Sequence, residues 1–562
     1  MLEPWLVGGG GQLADPPGGC FLARFASLDV LAEEAWAVMA LCDSLLETLR
    51  ARAASDPERE FLRVDGGSFT RAEVLDWVET TARGLREFGL VAGDRVGLMC
   101  DNRAETVWAW LGTNAAQGID VPFNAEARGR LLDYFVQDAQ PRFLIGTEQY
   151  LTILAETLTS DPELVIVVGE HSTAPFGGRA KQVTFEEIVS AGRASQAELP
   201  SPPPGATATI MYTSGTTGPS KGVMLPQRYY PAKAADAAMM LRGSDEDVVL
   251  CVQPLFHIDA RAFLVSCLHV GCVAVLGRRF SPSTFWDQVR EHNATIFGTI
   301  GTMLWMLYKQ PPRPGDRDNP ARIASCSSTP GEILRAFEKR FGLGIVEMYG
   351  MTECVVLAGE TVENTQPGRI GRPVPQVEMR IVDENDASVE RGDIGELVFR
   401  PKEHFAMMQG YWNKPEATAE AWRNLWFHTG DLVRQYPDDM IEYIGRKKDS
   451  IRRRGENVSA WEVEQACVNH PSVLDVAAIG VPSEVGEEDV AVVVVPIPGA
   501  LLDPAELVEF LAKDLPRFAV PRYVEIVESL PKGPSERVEK GKVRERGITS
   551  AAWDANVALG RR

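Results

Sequence analysis

The sequence predicts an α/β protein with a large N-terminal domain, whose mostly parallel sheets are covered by helices, and a small α+β C-terminal domain. Three observations predict this fold class. The chain has 562 residues, more than one hydrophobic core usually supports. Short apolar runs alternate with segments of helical periodicity, which is typical of parallel sheets. The charged segment from Ile444 to Ile451 then separates this part from a last stretch with strands and helices of its own.

The first elements follow from local patterns. Residues 1–38 are rich in glycine and proline and lack the pattern of a secretory signal, so we expect an N-terminal extension of uncertain order. Phe61 to Val64 is predicted to be a strand, and Thr70 with Glu73 forms a capping box that opens a helix. Further strands are predicted at residues 95–100, 143–145 and 164–168. The predicted domains are residues 39–447 and 448–562.

Composition excludes several classes of protein. Its 45% hydrophobic and 24% charged residues are typical of a soluble globular protein. The net charge of −21 argues against nucleic-acid binding, which needs clustered Lys and Arg. Nine scattered cysteines without a Cys-x-x-Cys pair predict reduced thiols and a cytoplasmic location. The most apolar stretch, Phe263 to Gly277, is shorter than the ~20 residues that span a bilayer and is interpreted as a buried helix running into a strand.

The most informative stretch reads Tyr-Thr-Ser-Gly-Thr-Thr-Gly-Pro-Ser-Lys-Gly-Val, from Tyr212 to Val223. Glycines let backbone N–H groups face an anion, hydroxyls add donors, and Lys221 brings a positive charge. Because two apolar strands flank it, we interpret it as a phosphate-binding loop and not as a flexible linker. It is not the common nucleotide P-loop, in which Ser or Thr directly follows the lysine. Its remaining candidate ligands are Thr213, Ser214, Gly215, Thr216, Thr217 and Gly218.

Two further motifs suit a nucleotide. Residues 346–353 read Val-Glu-Met-Tyr-Gly-Met-Thr-Glu, in which a short strand delivers Tyr349, a flat ring able to stack on a purine. Thr352 offers a hydroxyl, and the Glu353 carboxylate is a hard oxygen ligand of the kind that magnesium prefers beside phosphates. Asp431, expected in a tight turn, has two acceptor oxygens that could hold both hydroxyls of a ribose. His257, which follows a predicted strand at 248–252, would by itself be a packed residue.

In this order, these motifs resemble those of the adenylate-forming superfamily, and the resemblance extends over roughly residues 45–544. Within it the chain is most similar to the acyl-CoA synthetase branch, in the manner of crotonobetaine/carnitine-CoA ligases. The resemblance implies an AMP-forming acid–thiol ligase that converts a carboxylic acid to an acyl-adenylate and then to a thioester. It also implies ATP, Mg²⁺ and coenzyme A as cofactors and a C-terminal domain that rotates between the two steps.

The resemblance assigns roles to residues. The loop with Lys221 would bind the β- and γ-phosphates, Thr352 the α-phosphate, Glu353 the metal, Tyr349 the adenine, Asp431 the ribose, Arg446 the nucleotide and Gly455 the pantetheine arm, with Lys448 as the hinge and His257 at the mouth of the acyl pocket. The segment from Ser327 to Pro330 departs from the glycine- and alanine-rich adenine-binding segment of the family.

A second departure concerns the catalytic lysine near the C-terminus. Arg537 stands in its place, and a broad planar guanidinium does not fit a slot shaped for a compact ammonium. Losing one well-placed donor costs on the order of 10²–10³ in rate. Lys540, three residues on in a segment expected to be extended, would face the other way.

Four functions therefore stay open: a complete ligase that tolerates Arg537, a half-enzyme that thioesterifies an adenylate supplied by an upstream partner enzyme, a carrier-protein-loading adenylation enzyme, and a non-catalytic nucleotide binder. The acyl substrate is not defined by the motifs. Small residues at Gly298, Gly301 and Ser327 predict a roomy cavity and a bulky acid. Arg261 is expected to meet either a second polar group of that acid or a surface carboxylate.

Overall fold

The computed structural model describes residues 42–170, 175–213, 220–329, 331–447, 450–453, 456–483, 488–513, 515, 519–533 and 538–558. The expected N-terminal extension, residues 1–38, lies outside these ranges. The predicted site residues that also lie outside them are Ser214, Gly215, Thr216, Thr217, Gly218, Lys448, Gly455 and Arg537. The domain boundary predicted between residues 447 and 448 stays a prediction, since residues 448 and 449 are among those not described.

Sixteen α-helices lie within the described residues. They are α1 Leu45–Ser55, α2 Arg71–Glu87, α3 Ala104–Ala115, α4 Gly129–Ala139, α5 Glu148–Thr157, α6 Phe185–Ala194, α7 Tyr229–Leu241, α8 Ile258–Val270, α9 Phe285–Glu291, α10 Gly301–Tyr308, α11 Gly331–Phe341, α12 Pro415–Ala421, α13 Ala460–Val468, α14 Pro504–Leu511, α15 Lys540–Arg546 and α16 Ala555–Ala558. A single 3₁₀ turn, Arg423–Leu425, follows α12. No helix in the described part of the chain combines the length and apolarity needed to cross a bilayer.

Strands form four sheets. In the first half of the chain they are β1 Glu60–Val64, β2 Gly67–Thr70, β3 Arg95–Met99, β4 Ile119–Pro122, β5 Phe143–Thr147, β6 Leu164–Val168, β7 Lys181–Thr184, β8 Thr207–Thr213, β9 Lys221–Pro226, β10 Val248–Cys251 and β11 Val273–Leu276. The next are β12 Ile296–Ile300, β13 Ile323–Ser327, β14 Gly344–Met351, β15 Cys354–Gly359, β16 Arg369–Pro373, β17 Val377–Val382, β18 Ile394–Pro401, β19 Gly410–Tyr411, β20 Phe427–Gln435 and β21 Ile441–Arg446. The last are β22 Ser450–Arg453, β23 Glu456–Ser459, β24 Val473–Pro482, β25 Glu488–Pro496, β26 Tyr523–Ile526 and β27 Trp553–Asp554.

The eight-stranded sheet has the order β19-β9-β8-β4-β3-β5-β6-β7. From β8 to β7 every pair is parallel. Two antiparallel pairs complete the sheet: β9 pairs with β19 at the edge, and with β8 in a hairpin whose strands are joined by the phosphate-loop segment. The two apolar runs that flank this loop in the sequence are therefore paired strands, as predicted.

The thirteen-stranded sheet mixes parallel and antiparallel pairs, with an antiparallel β1–β2 pair at one edge. Strands β1, β11, β10, β12, β13 and β14 are parallel, whereas β14 to β17 continue the sheet in antiparallel pairs. The change of direction has a local cause. Only Thr352 and Glu353 separate β14 from β15, and a connection this short cannot carry the crossover helix that parallel strands need. The predicted α/β fold class is confirmed, with a larger antiparallel share than expected.

Local predictions agree with the packing of the large domain. Thr70 caps α2, and the reciprocal hydrogen bonds of the predicted capping box with Glu73 are both present. The apolar stretch interpreted as a buried helix and strand lies in α8 and β11, and the buried residues of both belong to the core. Helices α7 and α8 pack against each other and against strands of the thirteen-stranded sheet.

The small C-terminal domain is built on the four-stranded sheet β24-β25-β26-β27, with the hairpin β22–β23 beside it. Helices α13 and α14 cover this sheet and close a separate hydrophobic core. The domain meets the large one through an edge-to-face ring contact, in which the centroids of Trp461 and Tyr443 are 5.6 Å apart. Tyr443 belongs to β21, a strand of the large sheet, so this contact lies between the two domains.

Candidate active site

The two ends of the phosphate loop are anchored by tyrosines. Thr213, the last residue of β8, pairs in register with Lys221, the first residue of β9. The hydroxyl of Tyr134 donates to the carbonyl oxygen of Ser220 at 2.7 Å, and the hydroxyl of Tyr212 donates to a carboxylate oxygen of Asp138 at 2.7 Å. The loop therefore starts and ends at fixed points.

Lys221 lies beside the predicted metal ligand. Its ammonium nitrogen is 4.7 Å from the centroid of the Tyr411 ring, a cation–π contact. The hydroxyl of the same tyrosine donates to Glu353 Oε1 at 2.8 Å. Burial, reinforced by the nearby Glu353 charge, raises the pKa of Tyr411 above its ordinary value, so the phenol keeps its proton and stays a donor. Tyr411 thus connects the loop cation to the carboxylate.

The Thr352–Glu353 turn is held through its backbone. Tyr229 donates its hydroxyl to the Thr352 carbonyl at 2.9 Å, and the Met408 N–H donates to the Glu353 carbonyl at 2.9 Å. These two hydrogen bonds fix the backbone of the turn that carries both side chains. Glu353 is 7% exposed, which suits a carboxylate at the floor of a cleft.

Three predicted nucleotide contacts meet around Asp431. The Tyr349 hydroxyl donates to Asp431 Oδ2 at 2.5 Å, and the Arg446 guanidinium lies 2.8 Å from Oδ1. Burial, together with the Asp431 carboxylate, raises the pKa of Tyr349 well above its ordinary value. Asp431 is 2% exposed. Residues that are distant in the sequence therefore form one buried, charged network.

Two local expectations about this network were wrong. Asp431 lies inside strand β20 and not in a tight turn, because β20 is paired on both sides, with β18 and with β21. Arg446 is the last residue of β21 and not part of an exposed linker. The two residues face each other in the β20–β21 register, which explains the ion pair between them.

Magnesium fits Glu353 as a single carboxylate ligand. Among the described residues no group of three or more His, Cys, Asp or Glu side chains is arranged to hold a metal ion. The usual magnesium site in phosphate-handling enzymes needs one or two protein carboxylates, which act together with the substrate phosphates.

Comparison with known proteins decides the family. The family described as AMP-binding enzyme matches residues 49–412, and the AMP-binding enzyme C-terminal domain matches residues 462–537. The chain is an AMP-binding enzyme. The resemblance to the adenylate-forming superfamily is confirmed, and this member is acyl-CoA synthetase-like.

Individual relatives of the AMP-binding enzyme agree. The crotonobetaine/carnitine–CoA ligase of Salmonella typhi is 29% identical over 484 residues, which are 85% of this chain and 93% of the relative. ATP-bound MatB from Rhodopseudomonas palustris superposes with a TM-score of 0.78 at 26% identity, covering 89% of this chain and 98% of MatB. The O-succinylbenzoate coenzyme A synthetase of Bacillus subtilis, in complex with AMP, superposes with a TM-score of 0.76 at 23% identity, covering 88% and 98%.

Glu347 of the AMP-binding enzyme lies close to the predicted adenine-binding segment, although no motif assigned it a role. It lies in β14, two residues before Tyr349, and its carboxylate accepts the backbone N–H groups of Ser328 at 2.8 Å and Thr329 at 2.9 Å. Burial raises its pKa to about 7, although these hydrogen bonds act in the opposite direction. Side chains two apart in a strand point to the same face, so the position beside Tyr349 was a signal.

The expectation for Arg261 was wrong on both counts. Its side chain is 0% exposed and forms an ion pair with the buried Asp120 of β4 at 2.7 Å. The guanidinium also lies over the Trp110 ring, 4.4 Å from the centroid. Arg261 therefore bridges α8 to the eight-stranded sheet, and it faces neither a surface carboxylate nor a substrate group.

Gly298 was predicted to leave space in the acyl pocket, but no free space lies beside it. A Cβ placed on this residue would lie 2.4 Å from the ring of Phe263, so that ring already fills the space beside the glycine. His257 directly precedes α8, and its ring packs 4.6 Å from that of Phe256. Its role at the pocket mouth stays a prediction.

Lys540 was expected to lie in an extended segment. It is instead the first residue of helix α15. Its ammonium group forms an ion pair with Glu464 of α13 in the small domain. The helix changes where this side chain points, so the argument from strand alternation does not apply to it. The position of Arg537 itself lies outside the described residues.

Proposed function

We propose that this AMP-binding enzyme activates a carboxylic acid with ATP and transfers the acyl group to coenzyme A. The observation that carries the proposal is the meeting of Tyr349, Asp431 and Arg446 within hydrogen-bonding distance, beside Glu353 and Lys221. Such a cleft offers an aromatic face, a ribose acceptor and a phosphate cation together. The names of the relatives, which are acyl-CoA ligases, support the same chemistry.

In the first half-reaction an oxygen of the substrate carboxylate attacks the α-phosphorus of ATP. The bond from that phosphorus to the bridging oxygen breaks, and pyrophosphate leaves with the electron pair. Lys221 and the loop would hold the departing phosphates, Thr352 the α-phosphate and Asp431 the ribose. Glu353 would hold magnesium, which when bound neutralises phosphate charge. Catalysis here is mostly placement of charge near oxygens that become more negative.

In the second half-reaction the sulfur of coenzyme A attacks the acyl carbonyl carbon. The bond between that carbon and the phosphate oxygen breaks, AMP leaves, and the thiol proton passes to solvent. The small domain would rotate between the two steps about Lys448 and bring Gly455 to the pantetheine arm.

A half-enzyme is the second candidate, favoured by two observations. Arg537 replaces the lysine that the family uses for adenylation, and Lys540 is already paired with Glu464. Thioester formation does not need that lysine, so the protein would then accept an adenylate made by an upstream enzyme.

Two parallel reactions separate the candidates. The first contains a panel of carboxylic acids with MgATP and coenzyme A, and the second contains the matching synthetic acyl-adenylates with coenzyme A. Thioester in the first reaction supports the complete ligase and ends the half-enzyme hypothesis. Thioester in the second alone supports the half-enzyme. A third series, with a holo carrier protein in place of coenzyme A, tests the carrier-loading enzyme. A protein that binds AMP but forms no product in any of the three series is a non-catalytic nucleotide binder.

A further inference from the structure

Glu347 connects two segments of the nucleotide cleft. It projects from β14, the strand that carries Tyr349, and is 5% exposed. Each carboxylate oxygen accepts one backbone N–H of the segment that follows β13: Oε1 from Ser328 at 2.8 Å and Oε2 from Thr329 at 2.9 Å. Hydrogen bonds to an ionised acceptor are about twice as strong as neutral ones.

The segment that Glu347 holds has an uncommon backbone. Ser328 has a φ of +64°, a left-handed conformation that non-glycine residues rarely adopt because it is strained. Such a conformation persists only where its surroundings fix it, and here the Ser328 and Thr329 N–H groups donate two hydrogen bonds to Glu347. This is also the segment that departs in sequence from the glycine- and alanine-rich pattern expected for adenine binding.

We propose that Glu347 is a positioning residue for the nucleotide, holding the Ser328–Thr329 turn at a fixed distance from the Tyr349 ring so that the adenine slot exists before the nucleotide binds. The proposal rests on the proposed function, because it concerns the same cleft. It explains how a chain without the usual glycines keeps this turn in place. The buried carboxylate stabilises a backbone conformation that glycine would adopt without strain.

Both hydrogen bonds to the turn require the ionised form of Glu347. When the carboxyl is protonated, one acceptor becomes an O–H donor, and one of the two backbone N–H groups loses its partner. Because burial raises the pKa of Glu347 to about 7, this change falls near neutral pH. The neighbouring titratable group is the Cys326 thiol of β13, whose pKa burial raises far above neutrality, so it stays uncharged throughout. Thr299 and Thr329 contribute hydroxyls to the same surroundings.

Binding of AMP, measured by calorimetry with the full-length protein, tests the proposal without relying on turnover. Glu347→Gln should raise the Kd for AMP by about 10- to 100-fold, the range expected for losing a hydrogen bond to a charged group. Asp247→Asn is the matched control. Asp247 is also a buried carboxylate and accepts the Ser244 N–H at 2.8 Å, but it pairs with Arg322, at the opposite end of β13 from Ser328, so AMP affinity should stay within about twofold.

Two further measurements separate positioning from general stability. Adding Ser328→Gly to Glu347→Gln should recover part of the lost affinity, because glycine adopts a positive φ without strain. The wild-type Kd for AMP should rise several-fold between pH 8 and pH 6, whereas that of the Ser328→Gly single variant should change much less. This last variant keeps Glu347 and needs no buried substitution, so it serves even where Glu347→Gln does not fold.

The outcomes are distinct. Equal AMP affinity of Glu347→Gln and wild type, or full pH dependence in Ser328→Gly, overturns the positioning role and leaves the proposed function untouched. Failure of the wild-type protein to bind either AMP or ATP overturns the proposed function itself.

Discussion

The ammonium nitrogen of Lys540 lies 2.7 Å from Oε1 of Glu464, in an ion pair between α15 and α13 of the small domain. Both side chains are mostly buried, at 18% and 13% exposure. A lysine committed in this way is not free to deliver its charge to a phosphate in the cleft. Arg537 is the C-terminal cation that stands where the family places its adenylation lysine.

Replacing Arg537 by lysine should increase adenylation. A compact ammonium restores the charge that the family places between carboxylate and α-phosphate, and one such donor is worth on the order of 10²–10³ in rate. Pyrophosphate release in the presence of acid and MgATP measures the gain. Thioester formation from a supplied acyl-adenylate should change by less than about twofold.

Lys540→Gln is the control for this gain. It should lower the melting temperature by a few degrees, through loss of the pair with Glu464, and leave pyrophosphate release unchanged. A large fall in adenylation in this variant would mean that Lys540, and not Arg537, serves the reaction.

Asp431→Asn should weaken nucleotide binding. The substitution removes the charge that pairs with Arg446 and one ribose acceptor, so the Kd for AMP should rise by about 10- to 100-fold. Asp489→Asn is a matched control, because Asp489 is a buried carboxylate paired with Arg522 in the small domain. It should lower stability while AMP affinity stays the same, and calorimetry compares the two.

Removing one partner of the Arg261–Asp120 pair should destabilise the large domain. Arg261→Met leaves Asp120 as an unpaired buried charge, at a cost of about 3–5 kcal/mol in the free energy of unfolding. The double variant Arg261→Met, Asp120→Leu should recover most of that loss, since neither charge remains. Denaturation in urea measures both. An unchanged midpoint in Arg261→Met would contradict the buried pair.

Phe263 should limit the size of the acid. Because its ring fills the space beside Gly298, Phe263→Ala should extend the accepted acids to larger ones, seen as a lower KM for bulky acyl-adenylates. Gly298→Ala, which drives a methyl into that ring, should destabilise the protein by about 1–3 kcal/mol. If Phe263→Ala changes the KM of small and large adenylates equally, the ring does not lie in the acyl pocket.

His269 should make stability depend on pH. Burial, with Arg52 nearby, lowers its pKa to about 4, so between pH 6.5 and 4 the unfolded chain binds a proton that the folded protein does not. Stability from this group is therefore lost as the pH falls through that window. His269→Gln should remove this effect, and its cost relative to wild type should be about 2 kcal/mol smaller at pH 5 than at pH 7. Equal costs at both values would contradict it.

Much of the fold, and the grouping of several candidate site residues, was predictable because the decisive signals are local. The capping box at Thr70, the alternation of strands and helices, and the sequence around Tyr349 depend on neighbours along the chain. The family resemblance assigned Asp431 and Arg446 to the same nucleotide, and the structure shows that the two side chains form an ion pair.

What the sequence could not supply depends on pairings between distant residues. Nothing near Arg261 indicates that Asp120 lies across from it, because β4 and α8 are brought together only by the packing of the two sheets. A glycine such as Gly298 predicts space, whereas the Phe263 ring that fills it comes from a helix thirty-odd residues earlier. Glu347 was overlooked because its partners are backbone groups, and only its spacing from Tyr349 along β14 pointed to it.

The ring contact between Trp461 and Tyr443 gives the protein an intrinsic optical reporter. Rotation of the small domain would pull the indole off the phenol and into water, and its fluorescence would shift to longer wavelengths. With a Trp461→Phe protein as the blank, emission recorded during turnover would then show when the two lobes part, without any attached dye.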